Sequence, residues 1–370
     1  MAVIVAFGTY DAQRHPRIGI VIDGLRTHDI EVTELNHPLG LSTADRVRML
    51  KQPWRLPALA WRLVSRWRSL LRDARALLAS GVAVDAVIVG YLGHFDVLLA
   101  RRLFRRNTIV LDHLVFAGDT AHDRGARGLR VRLLRALDRR AISAADIVML
   151  DTPEHAAMLP TETVSVVVPV GARTEWFSAG AAAPASPSSD KEGMSVVFFG
   201  LFTPLQGAPV IASALAEALD RTPHLTATLI GRGQDWDAAR AALGDRADVA
   251  WVDWVEPSEL PAIVADHDVC LGIFGTSEKA LRVVPNKVYE GAAAGCALIT
   301  SDTRPQRALI GDAAVFTPPG DASALADALV DLAASPTRLA LARATARARA
   351  DEFSAAQIVL PLLQALAERR

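Results

Sequence analysis

The chain predicts an α/β fold made of two successive doubly wound domains, each a mostly parallel sheet with helices packed on it. Three observations carry this expectation. Short apolar runs alternate with amphipathic stretches along most of the chain, the pattern of strands joined by helical crossovers. Hydrophobic residues make up 51% of the chain and aromatic ones only 6%, which is the usage of small aliphatic side chains packed between helices and a parallel sheet rather than of a β-sandwich. At 370 residues the chain also exceeds what one hydrophobic core ordinarily organises.

The first series of strands reads VIVAF, IEVTEL, AVIVGY, TIVLDHLVF, ADIVMLD and VSVVVPV, with a helical stretch beginning near His15 between the first two. These runs, rich in Val and Ile and separated by helical patterns, indicate βαβ units. They define an N-terminal domain over residues 1–177. SAGAAAPASPSSDKEG at 178–193 is small, rich in Pro and Ser and without periodicity, so it is the expected linker. A second series follows at once: MSVVFFG, LTATLIG, VAWVDWV, VCLGIFG, CALITS and AAVFTPP, with helical patterns such as APVIASALAEALD and SALADALVDLAA between them. This predicts a C-terminal domain over 194–352 and a terminal helical segment over 353–370. Ligands of such sheets bind beyond the carboxyl ends of the strands, so function is expected in the βα loops of both domains, arranged around one cleft.

Several of those loops open with glycine: Gly8, Gly90, Gly200, Gly231 with Gly233, and Gly275. Glycine lets a backbone approach closely, and a helix N-terminus just beyond it offers unpaired N–H groups to a phosphate. The GRG at 231–233 lacks the third glycine and the acidic residue of a dinucleotide fingerprint, and by itself reads as a plain strand-to-helix turn.

Composition excludes several classes. Only Cys270 and Cys296 occur, without disulfide or CxxC spacing, which fits a reducing compartment and no structural metal. MAVIVAFGTY lacks a basic leader and reads as a first strand, and no apolar run reaches the ~18 residues of a membrane span, so the expected location is cytoplasmic. Net charge is -1, with an excess of basic residues in the first half offset by acidic ones in the second. With overall charge near neutral and no base-stacking module, nucleic acid is not an expected partner.

From MSVVFFG onward, the order of motifs resembles the donor domain of retaining GT-B glycosyltransferases of the glycosyltransferase family 4 type, the glycosyl transferases group 1. VVFFGLFTPLQGAPVIASAL resembles that family's strand, glycine loop and helix, and LIGRGQD its second glycine turn. VPNKVYEGAAAGCALIT, followed by the PGD turn at 319–321, resembles its nucleotide-binding helix and the next strand. The resemblance covers nearly all of residues 194–370. It is looser in the first half, where GTYD, GYLGHFD and DHLVFAGDT fit the layout without a diagnostic pattern. DEFSAAQIVLPLLQAL resembles the terminal helix that crosses back to the first domain.

The resemblance implies transfer of a sugar from a nucleoside diphosphate sugar, a UDP- or GDP-sugar, with retention of configuration and no metal or cofactor. It places Glu290 on the ribose hydroxyls, since a carboxylate accepts from two vicinal O–H groups. It also implies donor contacts from Gly8, Thr9, Gly200, Thr203, Gln206 and Gly231, with the base near Trp254 and Val255. The sequence departs from the family at two places. Where the family has an arginine and a lysine gripping the diphosphate, this chain has Leu201 and Gln206; where it has an earlier glutamate, this chain has Arg282. A diphosphate leaving group still needs positive charge, and Lys279, Arg282 and Lys287 are the expected replacements. The plain alternative is that these cations are solvated surface residues.

On the acceptor side, His94 and Asp96 follow AVIVGY, and Asp112, His113, Asp119 and Asp123 follow TIVL. Short carboxylates and histidines at strand ends suit a polyol acceptor, with Asp96, Asp112 and His113 as binders and His94 or Asp119 as aids to proton removal. A capping or turn role competes for each. Residues 46–77 hold nine Lys or Arg against one Asp, with Trp54, Trp61 and Trp67 interleaved. This reads either as a segment lying on anionic lipid, with a lipid-linked acceptor, or as a solvated helix packed on the domain core. Competing functions are a nucleotide-sugar 2-epimerase of the same fold and a non-catalytic nucleotide-sugar binder. A nucleotide-dependent oxidoreductase is disfavoured because no complete GxGxxG is present.

Overall fold

The computed structural model describes residues 3–12, 15–40, 56–123, 125–183 and 193–369. Two compact units result: Met1–Pro169 together with Ile358–Arg370, and Val170–Gln357.

Unit 1 is built on β1 (Val3–Gly8), β2 (Glu31–Asn36), β3 (Val84–Val89), β4 (Thr108–Asp112), β5 (Ile147–Leu150) and β6 (Ser165–Val167). They form one parallel sheet in the order β2-β1-β3-β4-β5-β6. The inner strands are buried on both faces, which is why their sequences are nearly unbroken aliphatic runs, whereas edge strand β2, EVTELN, is half exposed. Val5, Phe7, Val87, Val89, Phe104, Ile109 and Leu111 fill the core on one side, with Phe7 and Phe104 edge to face at 5.9 Å. The chain reverses its strand order between β1 and β3, so the turns after these two strands open at the unit's switch point. The helix Leu360–Ala367 packs beside β6.

Residues 56–79 of the basic segment form a helix. It packs on the core through Leu70 and Ala74, both fully buried, and through partly buried Trp67, whose Nε1 donates to Asp96 Oδ1 at 2.7 Å. Trp61 stays 71% exposed. The segment is thus a core-packed helix along its second half, with an apolar and basic outer face at its start; residues 46–55, Trp54 included, lie outside the described residues.

Unit 2 contains β7 (Met194–Phe199), β8 (Leu225–Ile230), β9 (Val249–Val252), β10 (Val269–Leu271), β11 (Ala297–Ser301) and β12 (Val315–Thr317). The sheet is again parallel, in the order β12-β11-β10-β7-β8-β9, and its switch point lies between β7 and β10. The expected boundary at 178–193 is corrected here. Residues Thr174–Ala182 are helical and belong to this unit, because Trp176 is buried against Phe199 with ring centroids 5.6 Å apart. Gly180 lies so close to the helix Asn286–Ala293 that a Cβ would stand 2.1 Å from Ala293 O. Composition alone conceals this long-range packing. Residues 184–192 lie outside the described set.

Candidate active site

In unit 2 the loops after β7, β8 and β10 converge by backbone contact. Phe202 N–H donates to Arg232 O at 3.2 Å and Asp235 N–H to Phe202 O at 2.9 Å, tying the first two; Phe274 N–H donates to Gln206 O at 3.0 Å, tying the first to the third. Glycine is required at the crossings. Gly231 has φ +120° and a Cβ there would stand 2.1 Å from Gly200 O; Gly207, φ +71°, starts the helix Ala208–Arg221 with Phe274 C 2.6 Å from where its Cβ would be. The GRG turn is therefore more than a plain strand-to-helix connection.

Onto this platform the helix Asn286–Ala293 delivers Lys287 from its first turn. Its side chain is buried at 4% exposure, yet the ammonium has defined partners. Nζ donates to Gln206 Oε1 and sits 3.9 Å above the centre of the Phe198 ring. Gly200 is adjacent: a Cβ on it would stand 3.4 Å from Nζ. So Gln206, at a place where the family that this chain resembles has a cation, positions a lysine from another element. Leu201, at the other departed position, is 58% exposed.

One turn on, Glu290 is half-buried. Desolvation dominates both titrations: it pulls the Lys287 ammonium down to about 7, and raises the Glu290 carboxyl to about 7 against the opposing charges of Lys287 and Arg173. The consequences for stability have opposite signs. Between pH 7 and 10.5 the unfolded lysine holds more protons than the folded one, so its contribution improves as pH rises through that window. Between 4.5 and 7 the folded glutamate holds the extra proton, so its contribution declines as pH rises.

Arg282 ends the short 3-10 turn Ala280–Arg282, where Nε donates to Glu278 O at 2.9 Å and Nη2 pairs with Glu278 Oε2 at 3.1 Å. Of the three expected cations, Lys287 stands against the glycine loops, whereas Arg282 is engaged by its own loop and Lys279 lies half-buried one residue before the Ala280–Arg282 turn. Arg282→Ala should lower turnover less than about tenfold, in keeping with loss of a surface contact; a loss matching that of a Lys287 variant would restore Arg282 to the site. Trp254 is 71% exposed, not core, and Val255 beside it is half-buried. Thr203 lies in the glycine loop, half-buried, its carbonyl accepting from Gln206 N–H at 2.8 Å.

In unit 1 the expected acceptor residues come together at the strand ends, but several serve the scaffold. Asp96 is 3% exposed; its Oδ2 accepts from Thr9 N–H and Oγ1–H, both at 2.8 Å, closing the turn after Gly8. Asp112, 1% exposed, accepts from Arg17 Nε at 2.8 Å, and Arg17 Nη1 donates to Val168 O. Burial raises the Asp112 carboxyl against that guanidinium. Both carboxylates are buried and bonded to the scaffold, which speaks against the expectation that they bind an acceptor. Asp119 is half-buried and paired with Arg135 at 3.2 Å. His94 and His113 are buried with their rings 5.0 Å apart. His94 Nε2 lies 2.9 Å from Asp138 Oδ1, and burial, then the neighbouring His94, takes His113 down to about 3. Burial of Asp138 is outweighed by hydrogen bonds from His94, Gly118 and Ala117, which hold it below the usual carboxylate range.

Sequence reasoning missed Phe198, Arg173 and Asp138. The only signal for Asp138 was one acid within the basic helix LRVRLLRALDRRAI. Arg173 and Phe198 are placed by tertiary packing alone.

Two Rossmann-like parallel sheets, each with loops gathered at its switch point, define the GT-B architecture. Within Val170–Gln357, residues 193–335 match the family model of the Glycosyl transferases group 1. Over 173 residues the chain is 30% identical to the phosphatidyl-myo-inositol mannosyltransferase of Mycolicibacterium smegmatis, covering 45% of this chain and 42% of that protein, less than half of the relative's length. Among solved structures, sucrose-phosphate synthase from Thermosynechococcus elongatus matches with TM-score 0.68 at 14% identity, covering 100% of this chain and 99% of that one. Anabaena HepE, solved with UDP and glucose, matches with TM-score 0.64 at 15% identity, covering 99% of each. At such identities these two share the fold.

Proposed function

We propose that the protein is a glycosyltransferase that moves a sugar from a nucleoside diphosphate sugar to a hydroxyl acceptor, with retention of configuration and without a metal on the diphosphate. The observation that carries this is Lys287: a buried ammonium held by Gln206 beside Gly200, where three glycine turns meet in the group 1 domain. As the bond from the anomeric carbon to the diphosphate breaks, negative charge grows on the leaving oxygen, and a preorganised ammonium stabilises it more than the ground state. Glu290 takes the ribose hydroxyls, and exposed Trp254 is available to the base. The departing phosphate oxygen takes the acceptor's proton, so no side chain has to act as base. This suits a first unit in which His94 and His113 are buried.

A lipid-linked acceptor, with contact at the cytoplasmic face of a membrane, is favoured by exposed Trp61 and Val64 set among Arg62, Arg66 and Arg68. The curated relative is named for a phosphatidyl-inositol substrate. Among the described residues no helix is long and apolar enough to cross a membrane.

Incubation with labelled UDP- and GDP-sugars tests the reading. Slow release of free sugar and nucleotide is expected without acceptor. Interconversion of donors would indicate an epimerase instead, and saturable binding without turnover a binder. Because the free Lys287 titrates near 7, diphosphate binding above that pH should take up a proton. Affinity should then fall by up to about tenfold per pH unit, visible by calorimetry in buffers of different ionisation enthalpy.

A further inference from the structure

Unit 1 contains a polar cluster that the transfer chemistry leaves unused. His94 comes from the loop after β3, His113 directly follows β4, and Asp138 lies on the helix Leu129–Ile142; they are 5%, 1% and 4% exposed. One donor atom from each lies within 4.8 Å of the others, the one such buried group of histidine and carboxylate donors found among the described residues. The carboxylate is anchored from behind. Asp138 Oδ1 accepts from Ala117 N–H and Oδ2 from Gly118 N–H, both at 2.9 Å, as outer hydrogen bonds orient a ligating carboxylate. The His113 ring is fixed edge to face between His94, at 5.0 Å, and Phe116, at 4.6 Å. Its Nε2 is buried and has no hydrogen-bond partner, which ordinarily destabilises a fold.

We propose that His94, His113 and Asp138 bind a divalent transition-metal ion of the zinc type. Two neutral imidazoles and one carboxylate match its nitrogen and oxygen preference and leave a fourth position for water. Mg²⁺ and Ca²⁺, which favour oxygen sets, are poorly served. An ion here satisfies the His113 nitrogen and replaces the His94 proton now shared with Asp138. It also joins the β3 loop, the end of β4 and the Leu129–Ile142 helix by three bonds. Its role is to brace unit 1, separately from the Lys287 site of unit 2.

The test uses full-length, untagged protein stripped with a chelator and titrated with Co²⁺. One equivalent is expected to bind with the visible absorption of a four-coordinate ion, to be displaced by Zn²⁺, and to resist Mg²⁺. His113→Gln and Asp138→Asn should each weaken Co²⁺ binding by about 100-fold or more, while Lys287→Met leaves it unchanged. Should Asp138→Asn fail to fold, His113→Gln decides the matter, because the nitrogen it removes makes no hydrogen bond in the protein. Absence of stoichiometric Co²⁺ binding by folded wild type, or undiminished binding by folded His113→Gln, overturns the proposal.

Discussion

Lys287→Met is expected to give a more stable protein that has lost nearly all transfer. Methionine keeps the length of the stem over Phe198 and removes a buried ammonium whose desolvation is only partly offset by Gln206 and the aromatic ring. Replacing a buried ion pair by apolar side chains of similar volume is neutral or stabilises by about 1–4 kcal/mol, and removal of this desolvated ammonium is expected to fall in the same range; the orphaned Gln206 oxygen returns about 1 of these. A rise of a few degrees in Tm follows for a unit of this size. Turnover should fall by about 10²–10³, as when one preorganised charge-stabilising donor is removed. The stability gap between variant and wild type should shrink as pH rises from 7 to 10, because the cost of deprotonating Lys287 on folding falls steadily through that window. A destabilised Lys287→Met, or a gap independent of pH, would show that the ammonium is held by more than these contacts.

Gly231→Ala is expected to damage the same site by a different route. A methyl at this position meets Gly200 O, a backbone atom that Gly200 N–H fixes by donating to Ile230 O at 2.9 Å. The residue is also held by its own N–H, which donates to Val252 O at 2.7 Å, at a φ of +120° that side chains rarely adopt. Steric and conformational costs together come to about 3–5 kcal/mol, a large share of the roughly 5–15 that hold a domain folded. Thermal melts should show unit 2 unfolding about 10 °C earlier, with nucleotide binding lost before the unit melts. Gly244→Ala separates the two terms, since its φ is +70° and its ψ -169° but the space beyond is open; it should cost only about 1–3 kcal/mol. Equal melting of the two variants would mean that the loops after β7 and β8 part easily.

The strands were readable because each follows from local composition. Every apolar run noted in the sequence contains a strand, from VIVAF to AAVFTPP, since the inner strands of a parallel sheet are covered on both faces and consist of little else. The order of those strands and the membership of Thr174–Ala182 depend on contacts far along the chain, such as Trp176 on Phe199, and leave no local mark. The candidate site was half readable. Glu290 and Lys287 stood out as charges inside an otherwise small-residue helix, but Gln206, which looked like a loss beside the family pattern, holds Lys287 from 81 positions away. Asp96, Asp112 and His94 show the opposite failure: polar residues at strand ends read as ligand contacts, whereas burial commits them to Thr9, Arg17 and Asp138. Trp67 and Trp61 differ for the same reason, one turned to the core and the other to solvent.

That Lys287 supplies the charge for the diphosphate is tested most directly by comparing how wild type and Lys287→Met bind a nucleoside diphosphate and its parent nucleoside, with both uridine and guanosine pairs titrated. Wild type should prefer one diphosphate over its nucleoside by about 100-fold, roughly 2.7 kcal/mol, and the variant should bind the two almost equally while keeping its nucleoside affinity. An undiminished preference in Lys287→Met would contradict the account and move the diphosphate to other groups.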